Sequence, residues 1–194
     1  MQNATDNTAG KQPKVDRATG RMSGVRQLSS PHCDARPAGT RIDLLVIHGI
    51  SLPPREFGGE WIERLFMGTL PLDAHPYFAT IQNLRVSSHL LIRRDGELLQ
   101  FVPFQQRAWH AGTSMYQGRA ACNDFSIGIE LEGCDDVSYT EPQYAELAAV
   151  SHAIMAAFPD ITPSRIVGHS DIAPGRKTDP GPAFDWAQFH AQLA

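Results

Sequence analysis

Residues 42–48, IDLLVIH, leave this chain few ways to fold. The run is short, apolar on both faces and ended by Gly49. A strand of that kind must be covered on both sides, which is the place of a central strand in an α/β sheet. A second run, FSIGIELEG at 125–133, alternates instead. Phe125, Ile127, Ile129 and Leu131 point one way and predict a core face. Ser126, Gly128, Glu130 and Glu132 point the other way, and the glycine predicts open space next to Glu130.

The other elements fit around these two strands. EWIERLFMG at 60–68 has Trp61, Leu65 and Phe66 at helical spacing, whereas 71–78 reads as irregular. SSHLLIRRDGELLQFVPF is two apolar runs joined at Asp95–Gly96, a hairpin signal. Thr140 with Gln143 three residues on is a capping-box pattern, and Pro142 suits a first turn. Tyr144, Leu147, Val150, Ile154 and Phe158 continue it as an apolar helical stripe. RIVGH at 165–169 is extended, a Pro/Gly-rich loop follows, and a last helix starts near Asp185. This order predicts a single α/β domain, a central sheet with flanking helices.

Composition limits the function. With 194 residues, 42% of them hydrophobic, one domain can bury roughly 70% of its unfolded surface without disulfides. Three scattered cysteines form no framework and no CxxC pair, as expected in a reducing compartment. No stretch approaches the ~20 apolar residues of a membrane span, and the first thirty residues lack the apolar segment of a signal peptide. Residues 1–28 carry five basic residues against two acidic ones, so the rest holds about −7 of the net −4 charge. An acidic body with no basic stripe argues against a nucleic-acid partner. Residues 1–28 are polar and aperiodic and read as a disordered or appended tail, with the domain proper at 29–194. Arginine outnumbers lysine fourteen to three, and Lys177 is the one lysine outside the tail.

Two of the eight histidines stand apart. His48 and His169 each end an extended apolar run beside a glycine, where α/β sheets bind ligands. As an isolated pair they also suit satisfied structural histidines. Asp179, ten residues after His169 and next to Pro180, shifts the weight. Two imidazoles and a carboxylate make a three-ligand zinc set with a fourth position for water, a catalytic arrangement. The two histidines are 121 residues apart and no HExxH is present, so spacing alone leaves their convergence open. Glu130 is the candidate base for hydrolysis, or else a solvated strand carboxylate. Lys177 is the candidate oxyanion partner, or else a surface lysine.

At this point several segments resemble a known family: LLVIHGISLPPREFGG, HPYF, LRVSSHLLIRRDGELLQFVPF, RAWHAGTSMYQGR, CNDFSIGIELEG and VGHSDIAPGRKTDPGPAFDW. In order, from about Ser29 to Phe189, they resemble the zinc-dependent N-acetylmuramoyl-L-alanine amidases. Phage lysozyme-type amidases and peptidoglycan recognition proteins belong to the same group. The resemblance is strongest to a cytosolic branch acting on 1,6-anhydro-N-acetylmuramyl peptides. It implies a mixed β-sheet with helices packed on it and a zinc site at one rim. It also implies zinc ligation by His48, His169 and Asp179, a catalytic Glu130, and a transition-state-stabilising Lys177. Arg85 is implied to meet the peptide's carboxylates, and Trp109 and His110 to line the sugar/peptide cleft. The chain departs from relatives at Gly49 (often Asn), Ala121 (arginine in some) and Gly175 (glutamate in some).

The expectation is therefore a cytoplasmic, zinc-dependent amidase of peptidoglycan recycling. Its substrate is a small anhydromuropeptide, with no nucleic acid or membrane as partner and a monomer favoured. Two other classes stay open: a metal-free muropeptide receptor, and a lytic amidase acting on polymeric wall. The stretch from Ser51 to Tyr77 is long enough to act as a gate.

Overall fold

A computed structural model describes residues 13–193. Its centre is a six-stranded mixed sheet. In chain order its strands are β1 (Arg26–Gln27), β2 (Leu44–Ile50), β3 (Leu90–Ile92), β4 (Leu98–Gln100), β5 (Ser126–Glu132) and β6 (Ile166–Gly168). Across the sheet they run β6-β2-β5-β3-β4-β1. All neighbours are parallel except the β3–β4 hairpin. The helices are α1 (Trp61–Phe66), α2 (Pro76–Thr80), α3 (Glu141–Ala157), α4 (His169–Ile172) and α5 (Trp186–Leu193). None is long and apolar enough to cross a membrane.

β2 is the doubly covered strand its composition demands, with Leu44, Leu45, Val46 and Ile47 all fully buried. Leu45 and Ile47 join Ile127, Ile129 and Leu131 of β5 in the main core, against Leu147, Val150 and Ile154 of α3. Helix α3 begins with the expected capping box, Thr140 accepting from the Gln143 N–H and Gln143 accepting from the Thr140 N–H. Leu44 and Val46 face the other way, into a smaller cluster with Ala111, Cys122, Phe125 and Ile172. Phe125 belongs to this second cluster, not to the face it would share with Ile127. It precedes β5 and caps a 3₁₀ turn, so strand alternation does not yet apply to it.

Three expectations are corrected. The disordered reading of 1–28 fails for 13–28, while 1–12 lie outside the described residues. Val15–Asp16 and Arg21–Met22 form a small hairpin, and β1 pairs with β4. A buried Gln100 holds this segment, donating to Gly20 O at 2.9 Å and accepting from Met22 N at 2.8 Å. Met22 supplies the apolar anchor at 3% exposure. One buried amide and one methionine leave no periodic trace in sequence. Residues 71–78 are not wholly irregular, because His75 caps the short helix α2 by accepting from Tyr77 N. Finally, no open space lies beside Gly128. The His110 ring fills it, 2.5 Å from where a Cβ would stand.

Candidate metal centre

Strand register assembles the site. In the parallel β2–β5 pair, Glu130 lies opposite His48. In the parallel β2–β6 pair, Gly168 lies opposite Ile47, so the next residue, His169, falls beside His48. Three neighbouring strands thus deliver Glu130, His48 and His169 in a row at their carboxyl ends, on the face away from α3. Asp179 returns to the row from the loop after α4. Its carbonyl accepts from Ser170 N at 3.0 Å, and Tyr139 Oη donates to the Pro180 carbonyl at 2.9 Å.

The side chains converge. His48 Nδ1 lies 2.9 Å from His169 Nδ1 and 3.3 Å from Asp179 Oδ2, and His169 Nδ1 lies 3.0 Å from the same oxygen. Among the described residues these form the one group of three histidine, cysteine or acidic side chains close enough to share an ion. Both rings are buried, at 1% and 3% exposure. Their remaining nitrogens are engaged elsewhere, His48 Nε2 with His110 Nδ1 and His169 Nε2 with the Ala111 carbonyl. A carbonyl only accepts, so His169 Nε2 donates there, which in a neutral ring leaves the lone pair on Nδ1.

The electrostatics separate the two carboxylates. Burial would raise the Asp179 carboxyl, but the His169 and His48 rings beside it override that and hold it well below the usual range. Glu130 is driven the other way, well above its ordinary value, by burial and by the charge of Asp179, with Lys177 opposing. It is 8% exposed, and its Oε2 is buried without a hydrogen-bond partner. Burial lowers His48 to about 4, so its ring is neutral at pH 7.

The donors suit zinc. Two imidazole nitrogens and a carboxylate oxygen are its ordinary ligands, and a tetrahedron with ~2.0–2.1 Å bonds has edges of about 3.3 Å. When both Nδ1 atoms present lone pairs, the three atoms at 2.9–3.3 Å repel one another unless a cation lies between them; an Nδ1 proton donated to Asp179 serves that purpose in its absence.

The other expected residues are spread more widely. Lys177 is exposed, and its charge is felt at both Glu130 and His48. Trp109 is half-buried and stacks on His32. Arg85 is exposed and donates to the Gln82 and Leu84 carbonyls of its own loop. Among the described residues, neither Trp109 nor Arg85 bonds to the metal-type cluster. His110 does not line a cleft. It is buried behind His48, because the missing side chain of Gly128 leaves it room. Gly49 has its own cause, since a Cβ there would stand 2.3 Å from Tyr139 Oη. Sequence reasoning passed over Ser126, Asn123 and Arg176, which back the site, because loop and small polar residues carry no periodic signal.

Comparison with known proteins gives the family. A family model described as N-acetylmuramoyl-L-alanine amidase matches residues 38–182. The chain is 62% identical to the 1,6-anhydro-N-acetylmuramyl-L-alanine amidase AmpD of Escherichia coli over 175 residues, 90% of this chain and 95% of that protein. It is 52% identical to the AmpD of Haemophilus influenzae over 170 residues, 88% and 92% of the two chains. A crystal structure of an AmpD selenomethionine derivative superposes with a TM-score of 0.89 at 58% identity, covering 93% of this chain and 99% of that one. On the matched span, the sheet that carries it and the likeness along nearly the whole length, this chain belongs to the N-acetylmuramoyl-L-alanine amidase family.

Proposed function

We propose that this amidase hydrolyses the amide between the lactyl group of (1,6-anhydro)-N-acetylmuramic acid and the L-Ala of the stem peptide, in a cytoplasmic recycling step. The observation that carries it is the meeting of His48 Nδ1, His169 Nδ1 and Asp179 Oδ2 with Glu130 in register alongside. These three residues would hold zinc, which when bound polarises the scissile carbonyl and makes water nucleophilic near neutral pH.

The chain's own groups supply the rest. Glu130 accepts the proton of the attacking water on its unpartnered Oε2 and passes it to the departing L-Ala nitrogen. Its raised affinity for protons suits both halves of that transfer. The Lys177 ammonium meets the charge that develops on the carbonyl oxygen. Arg85 and Trp109 are proposed to contact the peptide carboxylates and the sugar from the half-exposed rim.

The test is mass-spectrometric detection of free stem peptide from an anhydromuropeptide. Chelation abolishes release, and added zinc restores it. Glu130→Gln and Lys177→Met keep stoichiometric zinc but lose about 10²–10⁴-fold in turnover. Full activity after complete zinc removal would overturn the metal assignment, and an unchanged rate in Glu130→Gln the base. Faster cleavage of intact sacculi than of the soluble substrate would replace recycling with a lytic role.

A further inference from the structure

Behind the two histidines runs a loop, residues 109–114, that touches both of them. His110 takes a hydrogen bond with His48, and the next residue, Ala111, takes one with His169. We propose that the dipeptide His110–Ala111 is a positioning clamp that sets the ring-nitrogen roles of both histidines, leaving both Nδ1 atoms aimed at Asp179.

The assignment follows from counting protons. Ser126 Oγ lies 2.6 Å from the Cys122 carbonyl, which can only accept, so the hydroxyl spends its single proton there. Toward His110 Nε2, at 3.2 Å, Ser126 Oγ must therefore accept. His110 is buried between the rings of His48 and His89, surroundings that suit a neutral imidazole. A neutral ring protonated at Nε2 has a lone pair at Nδ1. That lone pair lies 2.9 Å from His48 Nε2, which must then donate. His48 Nδ1 is left free, as the Ala111 carbonyl leaves His169 Nδ1 free.

The clamp is itself anchored. Asn123 Oδ1 accepts from the N–H of His110 at 3.1 Å and from that of Ala111 at 2.7 Å. Arg176 donates to the Ala111 carbonyl at 2.6 Å and to the Thr113 carbonyl at 2.7 Å. Both peptide units that face the histidines are thus held from behind. Outer-shell partners of this kind fix ligand tautomers in metal sites generally.

The proposal rests on the zinc reading only for what the aimed atoms bind, and its test separates the two. In metal-free protein labelled with ¹⁵N-histidine, NMR should find His110 protonated at Nε2. Protonation at Nδ1 would overturn the clamp. Zinc affinity by chelator competition is the second readout. His110→Leu fills the same space without an acceptor and weakens zinc binding 10–100-fold, whereas His110→Asn keeps an acceptor where Nδ1 stood and stays within about threefold of wild type. Ser126→Ala keeps the core and removes the proton acceptor of His110. It should weaken zinc binding and produce a mixture of His110 tautomers. Wild-type affinity in folded His110→Leu would overturn the proposal, and so would Ser126→Ala unchanged in both readouts should His110→Leu not fold. Wild-type protein that binds no zinc but shows the expected tautomer would remove the zinc reading and leave the clamp standing.

Discussion

Consider Gly128→Ala, the addition of one methyl group in the middle of β5. The backbone there is ordinary strand, so the substitution acts through space alone. The new Cβ would stand 2.5 Å from His110 Cγ, 2.6 Å from Nδ1 and 2.8 Å from Cδ2, whereas ordinary contact begins at 3.4 Å. The ring must therefore retreat by roughly 1 Å. It is held at 2.9 Å from His48 and 3.2 Å from Ser126, so a shift of that size carries at least one bond past hydrogen-bond range. Overpacking costs about 1–3 kcal/mol and the broken neutral bond about 1 kcal/mol, for a total of ~2–4 kcal/mol. Urea denaturation of the metal-free protein measures this directly, and zinc affinity should fall with it. The diagnostic comparison is the same substitution in a His110→Ala background, where the obstructing ring is gone. There the cost should shrink to within about 0.5 kcal/mol of zero. Equal costs in both backgrounds, or a single mutant as stable as wild type, would refute the argument that Gly128 is small to admit His110.

Other perturbations probe the frame around the site. Arg36 donates to the carbonyls of Phe104, Asn123, Asp124 and Ser126, so Arg36→Met strands four acceptors at about 1–3 kcal/mol each. That approaches the whole stability of a domain, and circular dichroism should find the variant largely unfolded at 37 °C. His89 is fully buried, and burial pushes its pKa well below the ordinary 6.5. The folded state thus refuses a proton that the unfolded chain accepts. Its contribution to stability is complete above pH 6.5 and is lost as pH falls, by about 1.4 kcal/mol per pH unit, until the folded-state pKa is reached. Denaturation midpoints at pH 7, 6 and 5 should decline more steeply in wild type than in His89→Gln. Thr140→Ala removes the α3 cap and its bond to the Arg94 carbonyl, and should cost about 1 kcal/mol in the same assay.

Much of this arrangement was legible from pattern because strand geometry is periodic. Alternation in β5 put Glu130 on the face opposite Ile127 and Ile129, and the parallel register then set it beside His48. His48 and His169 stood out because each ends an apolar run, and the fold brings both runs into one sheet as neighbours. What escaped notice lacks periodicity. The sequence named His110 as a cleft residue, but its tie to His48 depends on Ser126 and the small Gly128 of β5 and on Asn123, none of which marks a histidine partner. The segment 13–28 is held by Gln100, a polar residue whose burial depends on a partner seventy-odd positions away. Such contacts are set by tertiary register, and a single sequence carries no mark of it.

The contrast between the site's two carboxylates explains why they need not compete for one task. Asp179 and Glu130 lie close enough to influence each other, yet their surroundings drive them apart. Two imidazole Nδ1 atoms meet Asp179 within 3.3 Å, and a proton on either one keeps it ionised. Glu130 has no such partner. It is buried on the strand next to His48 with one oxygen unbonded, and the negative charge of Asp179 makes its proton harder to lose. A group that holds a proton readily suits the proton transfer proposed for Glu130. The positive end of Lys177 tempers that effect from the exposed side, so proton affinity at Glu130 is set jointly by Asp179 and Lys177. The difference follows from placement: Glu130 comes from β5 in register with His48, whereas Asp179 comes from the loop after α4.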